Sequence, residues 1–152
     1  MNIHEYQGKK LLSTFGIKTP KGIVASSIKE GIELAMTKVS SPWVLKAQVH
    51  SGGRAEGGGI KFANDEEGLR DALKKLLGMK LITKQTGFDA KTVRTVLIEE
   101  KCHIQKEFYL AVVVDRNNQK VCFMFSDRGG SNVENIPENE TNFLKTITVD
   151  PY

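Results

Sequence analysis

Lys46 lies in a strand-like run, and Ala47-Gln48-Val49 lead from it to His50-Ser51-Gly52-Gly53-Arg54-Ala55-Glu56-Gly57-Gly58-Gly59. Five of the eight residues 52–59 are glycine. Each glycine costs backbone entropy on folding, so a dense group asks for a reason. One reason is chemical: without side chains, successive backbone amides can approach an anion and form a nest around it. Lys46 before the loop and Arg54 inside it would add two cations suited to phosphate oxygens. The glycines are not followed by Lys-Ser or Lys-Thr, which excludes a Walker A loop. They lead into Ile60-Lys61-Phe62 rather than opening a helix, which excludes the dinucleotide fingerprint. Composition leaves two readings standing side by side, a phosphate cradle and a flexible hairpin between two strands.

Other reactive side chains are less suggestive. His4, His50 and His103 share no metal-ligand spacing with cysteine or carboxylate groups. His4 reads as a surface or first-turn helix residue, and His50 as a group that orients the loop or lies near phosphate. Ser13, Ser51 and Ser126 have no histidine partner in sequence, so nothing supports a serine nucleophile. Cys102 and Cys122 are too few for a disulfide framework and too far apart for a metal knuckle. Both are expected to be small buried hydrophobes in strands, in a reducing compartment.

The elements that must position the loop follow from periodicity. Asn2-x-x-Glu5, Ser27-x-x-Glu30 and Asn64-x-x-Glu67 each have the form of a capping box and predict a helix start. The first helix is expected to run to about Phe15, with Ile3, Tyr6, Leu11 and Phe15 toward the core and Gly16 ending it. The second presents Ile28, Ile32, Ala35 and Val39, and the third Leu69, Leu73, Leu76 and Leu77, with Gly78 as its stop. Strands are expected at 22–25, 43–49, 60–62, 94–99, 107–115, 120–126 and 146–149. Residues 116–119 form a polar hairpin turn and 127–142 a loop. Helices and strands alternate first and an antiparallel run follows, which predicts an α/β or α+β chain of two lobes.

Composition narrows the function classes. The chain has 152 residues, 39% of them hydrophobic, and a mean hydropathy of −0.30, as expected of a packed globular protein. No apolar run is long enough to cross a bilayer, and MNIHEYQGKK lacks the apolar core of a secretory signal. The net charge of +4 suits an anionic ligand. The lysines are dispersed and no basic run alternates with aromatic residues, so nucleic acid is not an expected partner.

Several motifs together carry a resemblance. The opening MNIHEYQGKKLL, the run PWVLKAQVHSGGRAEGGGIKF and the segment EFYLAVVVDR are similar, collinearly, to the amino-terminal ATP-grasp region of succinyl-CoA synthetase (succinate–CoA ligase) β subunits. The resemblance implies an ATP-grasp first lobe over about 21–105, after a helix-and-strand entry over about 1–20, and an incomplete second lobe over about 106–152. It implies that Lys46, Gly53, Arg54 and Ala55 hold the phosphates of ATP; the family more often has glycine where this chain has Ala55. It also implies that Glu99 and Cys102 meet the base, that Glu107 accepts from the ribose hydroxyls, and that Pro20 bears on the choice of ATP over GTP. From the residues alone, Glu99 and Glu107 would read equally as solvated strand-end carboxylates. Arg128 stands where the family usually has an acidic residue.

The reaction implied is ATP + succinate + CoA giving succinyl-CoA, ADP and phosphate, through a phosphohistidine of the partner α subunit. Mg²⁺ is the implied metal, but its ligands belong to a later part of the family's second lobe, so none is expected in this chain and catalysis by these 152 residues alone is not expected. A malate–CoA ligase or another acyl-CoA synthetase, and a non-catalytic interaction module of the same fold, are the alternatives. The resemblance places the protein in the bacterial cytoplasm, or in the mitochondrial matrix after loss of a transit peptide.

Overall fold

The computed structural model describes residues 2–130 and 144–150, which form two compact units, 1–102 and 103–152. The first carries the glycine loop. Its four-stranded sheet has the order β1 (Gly22–Ala25), β6 (Val96–Glu100), β2 (Trp43–Ala47), β3 (Ile60–Ala63). All three pairings are antiparallel. Alternation along β2 buries Trp43, Leu45 and Ala47 and leaves Val44 and Lys46 half-buried on the other face. Helices α2 (Ile28–Lys38) and α3 (Glu66–Leu76) pack against the sheet and against each other. Leu45, Leu69, Leu73, Leu76 and Ile98 are fully buried between them. Truncating one such leucine to alanine typically costs ~2–5 kcal/mol, which is why this layer fixes the sheet.

The helix ends differ from expectation by one or two residues. Ser27 caps α2 as predicted, its hydroxyl accepting from the Glu30 amide. The cap of α3 is Asp65 rather than Asn64, its carboxylate accepting from the Gly68 amide at 2.8 Å. The cap of α1 (Glu5–Thr14) is His4 rather than Asn2, and the Gln7 side chain accepts from the His4 amide. Gly16 and Gly78 follow their helices with φ of 77° and 81°, the left-handed stop expected of glycine.

The apolar residues of α1 do not enter the core. None of its residues is buried, and Ile3, Leu11 and Phe15 are exposed, Phe15 at 78%. Polar contacts hold this helix to the sheet face that carries Lys46. Two-residue strands β4 (Lys80–Leu81) and β5 (Lys91–Thr92) pair antiparallel, and sequence periodicity missed both.

The second unit is an antiparallel sheet of order β7 (Tyr109–Asp115), β8 (Lys120–Ser126), β9 (Lys145–Val149). In the turn between β7 and β8 the Asp115 carboxylate accepts from the amides of Asn117 and Asn118. Cys122 is buried here as expected, but Cys102 is exposed, because it follows β6 instead of lying in a strand. Most of the expected loop at 127–142, including Ser131, lies outside the described residues.

Candidate functional site

Lys46 and Glu99 are brought together by strand register. Lys46 lies opposite Leu97 and Val44 opposite Glu99, so Lys46 and Glu99 are diagonal neighbours on one face of the sheet. The Lys46 ammonium lies 2.9 Å from one Glu99 carboxylate oxygen and 3.0 Å from Glu5 Oε1. Glu99 is almost fully buried and also takes Lys9, whose Nζ is 2.6 Å from both of its oxygens. Glu5 reaches further, its second oxygen accepting from Arg54 Nη2 at 2.8 Å. Lys9, Lys46 and Arg54 therefore surround Glu5 and Glu99 in one partly buried network, with three positive charges against two negative.

The electrostatics follow from this packing. Burial alone would raise the Glu5 carboxyl, but hydrogen bonds and charge from Lys46, with Arg54 and Lys9, bring it down to about 2 from its ordinary 4.5. Burial would lower the Lys46 ammonium, yet Glu99 and Glu5 hold it above its ordinary value.

The loop after β2 is built around internal hydrogen bonds. The Gly57 amide donates to the Gly53 carbonyl, Gly58 to Ala55, and Gly59 to Arg54 at 2.7 Å. Arg54 Nη1 donates to the Ala47 carbonyl at 2.7 Å, so the guanidinium folds back over the end of β2. Gly53 and Gly58 have φ of 68° and 78°, where side chains are strained. Gly57 and Gly59 serve close packing, a second reason for glycine here beside the chemical one. A Cβ on Gly57 would meet the Ile82 carbonyl at 2.5 Å, and one on Gly59 would meet Arg54, Leu81 and Ala47 at 3.1–3.3 Å. The segment after β4 buttresses the loop: the Gly52 amide donates to Gln85 Oε1 at 2.6 Å, and the Ser51 and Thr83 hydroxyls are hydrogen-bonded.

The first turn of α1 meets this loop a second time. The His4 and His50 rings stack with centroids 4.0 Å apart and planes within 11°. Burial, then the charges of His50 and Arg54, lower the His4 imidazole. The Tyr6 amide donates to the buried Gln48 side chain.

Of the residues singled out in sequence, Lys46, Gly53, Arg54 and Glu99 fall in this neighbourhood, and Ala55 is exposed on the loop. Both Glu99 oxygens face Lys9 and Lys46. Half-buried Pro20 lines a cleft of about 490 Å³ together with Tyr6, Lys9 and Glu99. A second cleft of about 410 Å³ is bounded by Glu5, His50, Gly52 and Arg54. Cys102 is exposed, with its thiol 3.8 Å from the Glu100 carbonyl. Glu107 belongs to the second unit, where its carbonyl accepts from the Gly129 amide. Sequence reasoning missed Glu5, Lys9 and Gln48. The Glu5/Lys9 spacing of four on a helix was their only signal.

Among the described residues, no group of three or more histidine, cysteine, aspartate or glutamate side chains gathers to hold a metal ion. Glu5 and Glu99 are already matched to cations, so the donors beside Lys46 do not fit a divalent metal. No helix among the described residues is long and apolar enough to cross a membrane.

An antiparallel sheet that presents a lysine beside a glycine-rich hairpin, with two helices packed against it, makes the first unit an α/β lobe. The ATP-grasp domain family matches residues 2–152, and the chain belongs to that family. More particularly, it is 44% identical over 151 residues to the β subunit of succinate–CoA ligase (ADP-forming) from Ralstonia pickettii, covering 99% of this chain and 39% of that protein. It is 42% identical over 152 residues to the same subunit from Herminiimonas arsenicoxydans, covering 100% of this chain and 39% of that one. The chain thus spans about two fifths of the length of these relatives. A solved protein of Pyrococcus horikoshii shares the fold, with a TM-score of 0.72 at 21% identity over 97% of this chain and 58% of that one.

Proposed function

We propose that the chain is the amino-terminal nucleotide-binding part of a succinate–CoA ligase β subunit, holding the phosphates of ATP between Lys46 and the loop carrying Gly53, Arg54 and Ala55. The observation that carries this reading is that Lys46 and Arg54 converge on a single carboxylate, Glu5, at 3.0 and 2.8 Å. Two cations spaced to grip one carboxylate are spaced to grip a phosphate, whose oxygens span a similar distance. The name of the relatives, succinate–CoA ligase (ADP-forming) subunit β, supports succinate, CoA and ADP as participants. The reading extends this to ATP as the phosphoryl donor, succinyl-CoA and phosphate as products and an α subunit as partner. In this reading Glu99 and Cys102 border the base, Glu107 meets the ribose and Pro20 bears on base choice. Glu99 also keeps Lys46 and Lys9 aimed. These residues bind and orient phosphate, a contribution of positioning and charge neutralisation. Mg²⁺ would be held by groups other than Glu5 and Glu99, which are already matched to cations, so no step is assigned to it here.

Calorimetric titration with ATP tests the site. The unaltered chain should bind weakly, and Lys46→Ala should lower the affinity by about tenfold or more, the scale of one lost charge-assisted hydrogen bond. Equal affinity in the two proteins would remove Lys46 from the site.

A further inference from the structure

The phosphate reading leaves the most conspicuous group at the site without a role. The Glu5 carboxylate sits where a phosphate would, with Oε1 3.0 Å from Lys46 Nζ and Oε2 2.8 Å from Arg54 Nη2. We infer that Glu5 is a resident anion that positions Lys46 and Arg54 and is exchanged for the incoming phosphate. The inference rests on the proposed phosphate site and adds to it a residue that sets how tightly the site binds.

Two independent features support exchange over a permanent structural bridge. The first is the charge balance. With Glu5 in place, Lys9, Lys46 and Arg54 face two carboxylates, and a phosphate arriving at the two cations would meet a like charge. With Glu5 withdrawn, the same three cations face only Glu99, and the surplus positive charge doubles. The second is how α1 is held. The helix contributes no buried residue, and its first turn is attached by polar or stacking contacts: the Glu5 bridges, the Tyr6 amide on Gln48 and the His4–His50 stack. Withdrawing this turn therefore breaks polar contacts that water and ligand can replace, without opening the apolar core. A ligand that must displace such a group binds with an affinity lowered by the fraction of sites already open.

The test uses the 152-residue chain, sodium tripolyphosphate and ATP as probes, and calorimetry as the readout, with Glu5→Gln, Glu5→Asp and Lys46→Ala. Exchange predicts opposite signs: Glu5→Gln binds both probes roughly fivefold tighter or more, while its resistance to urea falls. Glu5→Asp keeps the charge on a shorter arm and should lie between. In the unaltered chain, tripolyphosphate should speed amide hydrogen exchange in residues 5–9. If Glu5→Gln binds no tighter while Lys46→Ala still loses binding, Glu5 is a structural bridge only and the inference fails while the phosphate site stands. If no protein binds either probe, the site and the inference fall together. Should Glu5→Gln not fold, unchanged or slower exchange in residues 5–9 on adding tripolyphosphate overturns the inference by itself.

Discussion

At the scale of single residues, the site depends on how two carboxylates are shared among three cations. Glu99 is buried between Lys9 and Lys46, and a buried carboxylate is tolerable only when matched in this way. Glu5 is the more informative member for pH, since its carboxyl is lowered from 4.5 to about 2 once the favourable contacts with Lys46, Arg54 and Lys9 outweigh burial. A carboxyl lowered in the folded state contributes stability that is fully present above its unfolded value. That contribution disappears as the pH falls through the folded value. The stability advantage of the unaltered chain over Glu5→Gln should therefore be constant above about 4.5 and shrink steadily toward pH 2. Urea unfolding at a series of pH values checks it, and parallel curves for the two proteins would remove Glu5 from the network. Lys46 was legible in sequence because a lysine before a glycine run is a local pattern. Glu5 was not, because its partners Lys46 and Arg54 lie 41 and 49 residues away and only folding brings them together.

At the scale of elements, the sequence was most readable where apolar spacing and burial agree. Helices α2 and α3 and the strands of the β2–β3 hairpin lie where periodicity put them, because Leu45, Leu69, Leu73 and Leu76 all face one core. In α1 the same spacing misled: its leucines and Phe15 are exposed, and Glu5 and Lys9 do the anchoring. Strands β4 and β5 are two residues each, too short for any period to register. Their position explains the glycine loop, since the chain after β4 runs so close that Gly57 has the Ile82 carbonyl at 2.5 Å from where a Cβ would be. Gly57→Ala is accordingly expected to cost about 1–3 kcal/mol, the usual range for overpacking. Ala55→Gly, at an exposed position of the same loop, should change stability by less than about 1 kcal/mol. Chemical denaturation of both variants decides this. A Gly57→Ala protein as stable as its parent would mean that the loop moves freely against β4, leaving the flexible hairpin as the better description.

At the scale of the whole molecule, the two units are unequal. The cluster of buried apolar residues runs from Ala25 to Ile98, entirely within residues 1–102. Among the described residues of 103–152, only Cys122 and Ser126 are buried. Pairing across β7, β8 and β9 places Leu110, Val112, Val114, Phe123, Phe125, Ile147 and Val149 on one face, and all of them are exposed. Apolar burial is the dominant favourable term in folding, so the cooperative unfolding of this chain should belong to the first unit. A protein of residues 1–102 is therefore expected to unfold in urea within about 1 kcal/mol of the full chain, and to keep the Lys46–Glu5–Arg54 bridge, all of whose members it contains. The converse substitution is as telling. Leu73→Ala, in the core of the first unit, should lower stability by ~2–5 kcal/mol, whereas Val112→Thr on the open face of the second should leave the main transition within about 0.5 kcal/mol of its parent. If removing residues 103–152 instead abolishes cooperative unfolding, the first unit does not fold on its own and the expectation fails.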